Sequence, residues 1–310
     1  MHERRGGPYI RDVRVLVTGG AGFLGSNIVD ALVARGDEVV ALDDLSTGDR
    51  GNLGPDIAFR KASVADERQL ATSLDGERFD AVVHCAAKTK VVESMEKPDL
   101  YHRVIVDGTA NVVAVAERAG ARIFVNISTG GAMYGETPAC ATEEAPAIPD
   151  SNYGRFKLEA ERIVGASAVP SVTLRCANIY GPRQRQDLEG GVIAIFLGRW
   201  RRGEPITVFG PGTAQRDYVH VADVAEAVTN AFAGRWTGVY NIGTGVPTSV
   251  NTLIARLTEL LGPPSAITRA PARAVETERA CVDPRKAARD GFWSPRTDLG
   301  AGLARTIAAG

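Results

Sequence analysis

Cysteine is scarce in this chain of 310 residues: four, at positions 85, 140, 176 and 281, with no C-x-x-C pair among them. Such spacing predicts neither a disulfide framework nor a zinc site. The histidines His2, His84, His102 and His220 form no H-E-x-x-H and no close pair, so no metal is expected. No apolar run approaches the ~20 residues that a membrane-crossing helix needs. Met1 to Arg11 carries no apolar core of the kind a secretory leader has, and a cytoplasmic protein is expected. Excess charge is missing too. With 36 Lys and Arg against 37 Asp and Glu, the net charge of −1 matches neither the field of a nucleic acid nor that of an anionic membrane. Partners of those kinds are not expected.

What the chain has in quantity is glycine, 34 residues with no low-complexity repeat to absorb them. Glycines are expected at turns and where backbone closes on a ligand. The first half alternates short β-branched runs with helical spacing. Val13 to Thr18 is nearly all apolar, as a buried parallel strand requires. Ser26 to Arg35 then reads as helix, with Ile28, Val29, Leu32 and Val33 on one face, and Glu38 to Leu42 as the second strand. Further strands are expected at Ala81 to His84, Arg122 to Ile127 and Ser171 to Leu174, with helices at Leu100 to Ala119 and Tyr153 to Val164. This rhythm predicts an α/β fold, a doubly wound parallel sheet with right-handed crossovers. After Tyr180 the rhythm fails, and Gly-Pro clusters such as Gly210-Pro211-Gly212 predict a smaller, interleaved C-terminal lid. Val239 to Ile242 reads as a strand returning to the sheet.

Between the first strand and first helix lies GGAGFLG, Gly19 to Gly25. Its glycines suit a tight turn, close approach of backbone to a pyrophosphate, and tight packing of helix on strand, with the helix amides facing the anion. Asp43 follows Gly22 by 21 residues, at the end of the second strand. A carboxylate there accepts hydrogen bonds from ribose hydroxyls and repels a 2′-phosphate, which points to NAD rather than NADP in a Rossmann-like turn. The plainer alternative is Asp43 as a cap or turn residue.

Tyr153 and Lys157 stand at i and i+4, on one helical face. A cation near a phenol favours the phenolate and is expected to draw the tyrosine pKa toward neutrality, as a base for an alcohol proton needs. An exposed pair on a helix surface is the competing view. Ser128-Thr129-Gly130-Gly131 follows the strand ending at Ile127, and ligands sit beyond the carboxyl ends of such strands. Both hydroxyls are thus expected to converge with Tyr153.

With these residues in view, the chain resembles the extended short-chain dehydrogenase/reductase superfamily, and within it the NAD-dependent nucleotide-sugar epimerases of the UDP-glucose 4-epimerase kind. The segments carrying the resemblance are TGGAGFLGS (Thr18 to Ser26), HCAA (His84 to Ala87), STGGAMYGE (Ser128 to Glu136), YGRFK (Tyr153 to Lys157), LRCANIYGPRQ (Leu174 to Gln184), RDYVHVADV (Arg216 to Val224) and YNIGTG (Tyr240 to Gly245). The resemblance implies NAD contacts from Gly19, Gly22, Phe23, Leu24 and Asp43. It places Asp44, Ser46 and Thr47 at the adenosine end, Ser63 and Val64 by the adenine, and Ala86, Ala87 and Lys88 along the cofactor. Tyr153 becomes the base and Lys157 its electrostatic partner. Thr89, Asn178, Arg185, Val192, Thr207, Phe209, Arg216, Arg273 and Glu276 fall where the family holds its UDP-sugar. Arg216 and Arg273 suit a diphosphate, Glu276 a ribose, and Phe209 a uracil ring. The implied domains are 12–180 for NAD, with 215–250 partly returning to it, and 181–214 with 251–310 for the nucleotide sugar. A homodimer joined through helices is implied as well.

Departures from the family pattern matter as much. The common adenine-binding Asp is replaced by Ser63, and a common active-site Asn by Ile105. The hydroxyl nearest the sugar in many relatives aligns with Gly130, so a relay must come from Thr129 or Ser128. Dehydratases and decarboxylases need proton-transferring groups where Gly130 and Gly131 stand, and both reactions are demoted. UDP-glucuronate 4-epimerisation, through Arg185, and UDP-N-acetylglucosamine 4-epimerisation, through a pocket widened at Ala280, remain alternatives. A catalytically silent NAD-binding regulator is the alternative of another class.

Overall fold

The first apolar run forms β1 (Arg14–Thr18), with Val15 and Val17 buried on one face of a sheet and Leu16 on the other. A strand covered on both sides has no polar face to show, which is why its sequence does not alternate. The computed structural model describes residues 13–187, 191–232, 236–272 and 277–310. Met1 to Arg11, Arg273 and Glu276 lie outside the described residues.

The main sheet continues with β2 (Glu38–Asp43), β3 (Ala58–Lys61), β4 (Ala81–His84), β5 (Ile123–Thr129) and β6 (Ser171–Cys176). Three short strands follow in the chain, β7 (Asn178–Tyr180), β8 (Ile206–Phe209) and β9 (Gln215–His220), before β10 (Gly238–Ile242) rejoins the sheet beside β6. The order is β10-β6-β5-β4-β1-β2-β3, every pair parallel. The winding reverses between β1 and β4, and the crevice at such a switch is where ligands of doubly wound sheets sit. The expected doubly wound fold and the returning strand at Val239 to Ile242 are both present.

Helices α1 (Phe23–Ala34), α2 (Glu67–Ser73), α3 (Val91–Glu96), α4 (Pro98–His102), α5 (Gly108–Ala119), α6 (Asn152–Ala166), α7 (Val192–Arg201) and α8 (Val221–Ala231) are laid around these strands. Ile28, Val29 and Leu32 of α1 and Val224 and Val228 of α8 cover one face of the sheet. Leu70 of α2, Val112 and Ala116 of α5 and Val164 of α6 cover the other. The C-terminal part adds β11 (Pro247–Ser249), α9 (Val250–Leu261), β12 (Ile267–Ala270), β13 (Arg279–Ala280), α10 (Arg285–Arg289) and α11 (Leu299–Ala308). Here β9 pairs with β7, β11 and β13, and β8 with β12. Phe196, Leu197, Ile206, Leu253, Leu257 and Leu303 build a separate core.

Three details differ from the sequence expectations. Leu100 to Ala119 is not one regular helix: a π-helical turn, Arg103–Asp107, joins α4 to α5. Strand β5 runs to Thr129, two residues beyond its expected end, so Ser128 and Thr129 sit in the ladder opposite Arg175 and Cys176. Finally, Cys140 and Cys281 form a disulfide across 141 residues of sequence. The absence of close cysteine spacing hid it. Tertiary structure supplies the proximity, because the next residues, Ala141 and Val282, form a parallel β-bridge. Among the described residues no helix is long and apolar enough to cross a membrane, and no cluster of His, Cys, Asp and Glu could hold a metal ion.

Candidate active site

Where β1 ends, Gly19 turns with φ +66°, and a Cβ there would stand 2.7 Å from the amide nitrogen of Ala86. A Cβ on Gly25 would lie 2.0 Å from the Gly19 carbonyl oxygen. Neither position tolerates a side chain, so α1 and the turn close on each other as a pyrophosphate cradle needs. Gly22 is the N-cap of α1, with no side-chain cap and no acidic residue in the first turn. The leading amides and the positive end of the helix dipole are therefore left for an anion.

Asp43 closes β2 and is almost fully buried. Its carboxylate accepts from the amides of Ala21 at 3.1 Å and Leu45 at 2.8 Å. Burial raises its pKa, and these amides oppose the rise. The residue thus shapes its own loop while keeping lone pairs to accept from ribose hydroxyls. Asp44 accepts from the Ser46 amide at 2.8 Å, and Lys88 Nζ donates to Ser46 Oγ at 3.3 Å. Arg185 is already engaged: it grips Asp187 through Nε at 2.9 Å and Nη2 at 2.5 Å, and donates to the Thr47 carbonyl at 3.1 Å.

These parts share a cleft of about 330 Å³. The structure brings Gly19, Gly22, Phe23, Leu24, Asp43, Asp44, Ser46, Thr47, Val64, Ala86, Ala87, Lys88 and Thr89 to its walls, together with Ser128, Thr129, Tyr153, Lys157, Asn178 and Arg185. Other expected residues stand outside that lining. Ser63 Oγ accepts from the Ala65 amide at 3.3 Å, closing a turn. Val192 opens α7, next to Gly191 of the cleft wall. Thr207 Oγ1 accepts from Arg199 at 3.2 Å and meets Thr268 Oγ1 at 3.1 Å. Phe209 ends β8 at 40% exposure, and Arg216 pairs with Ala280 across β9 and β13.

The reactive corner is made by β5 and α6. Ser151 caps α6, its hydroxyl accepting from the Gly154 amide at 3.2 Å. The two hydroxyls differ in their neighbours. Thr129 acts on the Tyr153 phenol, lowering its pKa against the effect of burial, whereas Ser128 Oγ donates to Glu161 Oε1 at 2.5 Å. Lys157 is buried, and its Nζ donates to the Ile127 carbonyl at 2.6 Å.

One expectation is corrected here. Burial pushes the Tyr153 phenol up to about 12, with the Thr129 hydrogen bond pulling against it. Lys157 is turned to a carbonyl and does not bring the phenol toward neutrality; burial draws its own pKa down to about 8. Desolvation wins over the helical i, i+4 geometry.

Two networks went unread in the sequence. His84 lies between Thr18 Oγ1, 2.7 Å from Nδ1, and Thr109 Oγ1, 3.1 Å from Nε2, and burial lowers its pKa to about 3. Beneath Ser128, Arg175 holds Glu161 through Nη2 at 2.7 Å and donates to the Tyr134 hydroxyl at 2.9 Å. An arginine inside the apolar run of β6, and a glutamate one turn past Lys157, were the signals that could have revealed it.

The family model described as "NAD dependent epimerase/dehydratase family" matches residues 15–243. The UDP-glucose 4-epimerase of Mycolicibacterium smegmatis is 36% identical over 306 residues, 95% of this chain and 97% of that protein. A Thermus thermophilus UDP-glucose 4-epimerase solved in complex with NAD is 36% identical, with a TM-score of 0.91 over 96% of this chain and 98% of that one. The Thermotoga maritima UDP-glucose 4-epimerase solved with UDP-glucose is 35% identical, with a TM-score of 0.90 and the same coverage, 96% and 98%.

Proposed function

The chain belongs to the NAD dependent epimerase/dehydratase family, and we propose that it inverts C4 of a UDP-hexose, interconverting UDP-glucose and UDP-galactose with Tyr153 as the base. The observation that carries the proposal is the convergence of Tyr153, its Thr129 partner and Lys157 on the cleft that also holds the glycine turn and Asp43. Similarity to enzymes named UDP-glucose 4-epimerase over nearly the whole chain supports the substrate.

NAD fits this cleft on the chain's own features: an uncapped helix N-terminus, two glycines that admit no side chain, and a carboxylate at the end of β2. Gly19, Gly22, Phe23 and Leu24 hold the pyrophosphate, Asp43 to Thr47 with Val64 the adenosine, and Ala86 to Lys88 the length of the dinucleotide. When bound, NAD would supply the redox chemistry, as acceptor and donor of hydride at C4, and the positive charge of its oxidised ring would favour a phenolate. Tyr153 accepts the proton of the sugar 4-hydroxyl and returns it to the epimeric hydroxyl. Thr129 stabilises the phenolate by donating a hydrogen bond, and Lys157 adds positive charge on the same face. Asn178 and Thr89 line the sugar end. Binding energy comes from the nucleotide diphosphate, at Val192, Thr207, Phe209 and Arg216 with Arg273 and Glu276, and leaves the keto sugar free to turn over. Residues 12–180 then serve as the NAD domain, with 215–250 partly returning to it, and 181–214 with 251–310 as the substrate domain.

Against the uronate alternative stands the engagement of Arg185, which pairs with Asp187 and donates to the Thr47 carbonyl. A neutral sugar suits the cleft better. The experiment is incubation of the NAD-loaded protein with UDP-glucose and with UDP-galactose, separating the C4 isomers. Tyr153→Phe is expected to retain NAD and lose about 10²–10⁴-fold in kcat, the usual worth of a positioned proton-transfer group. Turnover of UDP-glucuronate without UDP-glucose would overturn the substrate, and an active Tyr153→Phe would overturn the base.

A further inference from the structure

Two successive residues of β5 grip different groups on one face of α6. The Ile127 carbonyl takes Lys157 Nζ at 2.6 Å and Ser128 Oγ donates to Glu161 at 2.5 Å, while the next residue, Thr129, lowers the pKa of the Tyr153 phenol on the same face. Positions 153, 157 and 161 are each one turn apart, so the end of the strand is fastened along two turns of the helix. Glu161 is the anchor of this clasp. Its carboxylate takes Nε of Arg175 at 3.0 Å and 3.1 Å and Nη2 at 2.7 Å, and both side chains are nearly buried, at 9% and 6% exposure. Arg175 in turn donates to Tyr134, whose hydroxyl donates to Asn241 Oδ1 at 2.8 Å on β10. The clasp is thus tied to three strands of the sheet.

We propose that Glu161, held by Arg175 and acting through Ser128, is a positioning residue that fixes the end of β5 against α6 and sustains the ammonium of Lys157, and that Ser128 is part of this anchor rather than a proton relay. The proposal rests on Tyr153 and Lys157 being the reacting pair named above. The groups facing Lys157 are His84 on β4, Cys85 just after it, Cys176 at the end of β6, and Glu161 on its own helix. Tyr153 stands one turn away. Burial keeps His84 neutral and raises the thiols of Cys85 and Cys176, and the phenol is raised as well. Among these described groups Glu161, the partner of Arg175, is the carboxylate that raises the Lys157 pKa against burial. Removing it disfavours the ammonium, so the Lys157 titration must fall to lower pH.

The test uses the full NAD-loaded chain with Ser128→Ala, Glu161→Gln and the double variant Glu161→Gln with Arg175→Met, which removes Arg175's buried charge along with that of its partner. Lys157 is titrated directly by nuclear magnetic resonance of labelled lysine, its signal assigned by its loss in Lys157→Met. The expected result is a midpoint lower by about one unit in the Glu161 variants. Ser128→Ala is expected to lose about tenfold in kcat on UDP-galactose, with KM changed less than twofold, as a displaced reacting group costs rate rather than binding. Folded Glu161 variants with an unmoved Lys157 midpoint would overturn the proposal, as would a Ser128→Ala enzyme with wild-type kcat. Ser128→Ala preserves the ion pair, and so decides the matter if the Glu161 variants do not fold. A wild-type chain inert toward UDP-galactose overturns the proposed substrate instead; the Lys157 titration does not depend on it.

Discussion

His84 shows at the scale of one residue how a site-adjacent group sets a pH dependence. Its imidazole is fully enclosed between two threonine hydroxyls, and burial lowers its pKa from 6.5 to about 3. In the unfolded chain it takes up a proton near its ordinary value, in the folded chain only far below it. Between those values the unfolded state binds more protons, so its contribution to stability is full above about pH 6.5 and declines as pH falls toward 3. Between pH 7 and pH 5 the loss from this residue amounts to about 2 kcal/mol. Urea unfolding at the two pH values is expected to show that fall, and His84→Gln is expected to shrink it. A wild-type midpoint that does not move would contradict this account of His84. Residue-scale chemistry was unevenly legible in the sequence. The turn at Gly19, the close packing at Gly25 and the place of Asp43 at the end of β2 are local, set by the chain's own turn, and spacing sufficed to expose them. The state of Tyr153 was not legible, because its pKa depends on how much water the fold leaves around it, and the helical repeat predicts only which side chains share a face.

Strands and helices were read well where their periodicity is self-contained. Strand β4, from Ala81 to His84, and helix α6 appear close to their expected bounds, since each buries a pattern its own residues carry. Strand β5 outran its expected end because Ser128 and Thr129 are held in the ladder by β6, a partner more than forty residues away in the chain. The π-helical turn at Arg103–Asp107 likewise answers to packing, burying Ile105 and Val106 while neighbouring Val104 reaches the cleft. The Cys140–Cys281 bond ties the segment after β5 to the end of β13, next to Asp217, which accepts from Thr244 and Gly245. Thiol titration of the denatured, unreduced protein is expected to find two free groups, Cys85 and Cys176, of the four cysteines. Finding four would contradict the bond. The double variant Cys140→Ser with Cys281→Ser is expected to lose about 2–4 kcal/mol in unfolding free energy, because a long loop regains its freedom in the unfolded chain.

Across the whole molecule, the crevice at the sheet's switch point brings the glycine turn and Asp43 together with Thr89, Asn178 and Arg185. Its class was legible from motif order along the chain. The partners of Arg185 and Ser128 were not, since both are contacts between segments distant in sequence, Thr47 with Arg185 and Glu161 with Ser128. Under the proposed function, those two contacts favour a neutral sugar over a uronate and leave the hydroxyl role to Thr129. The central claim is that a sugar carbon is oxidised and reduced within one closed site, and UDP-galactose carrying deuterium at C4 tests it most directly. Conversion in ordinary water is expected to give UDP-glucose with the deuterium still at C4. Loss of the label to solvent, or an epimer formed with solvent hydrogen at that carbon, would contradict the account.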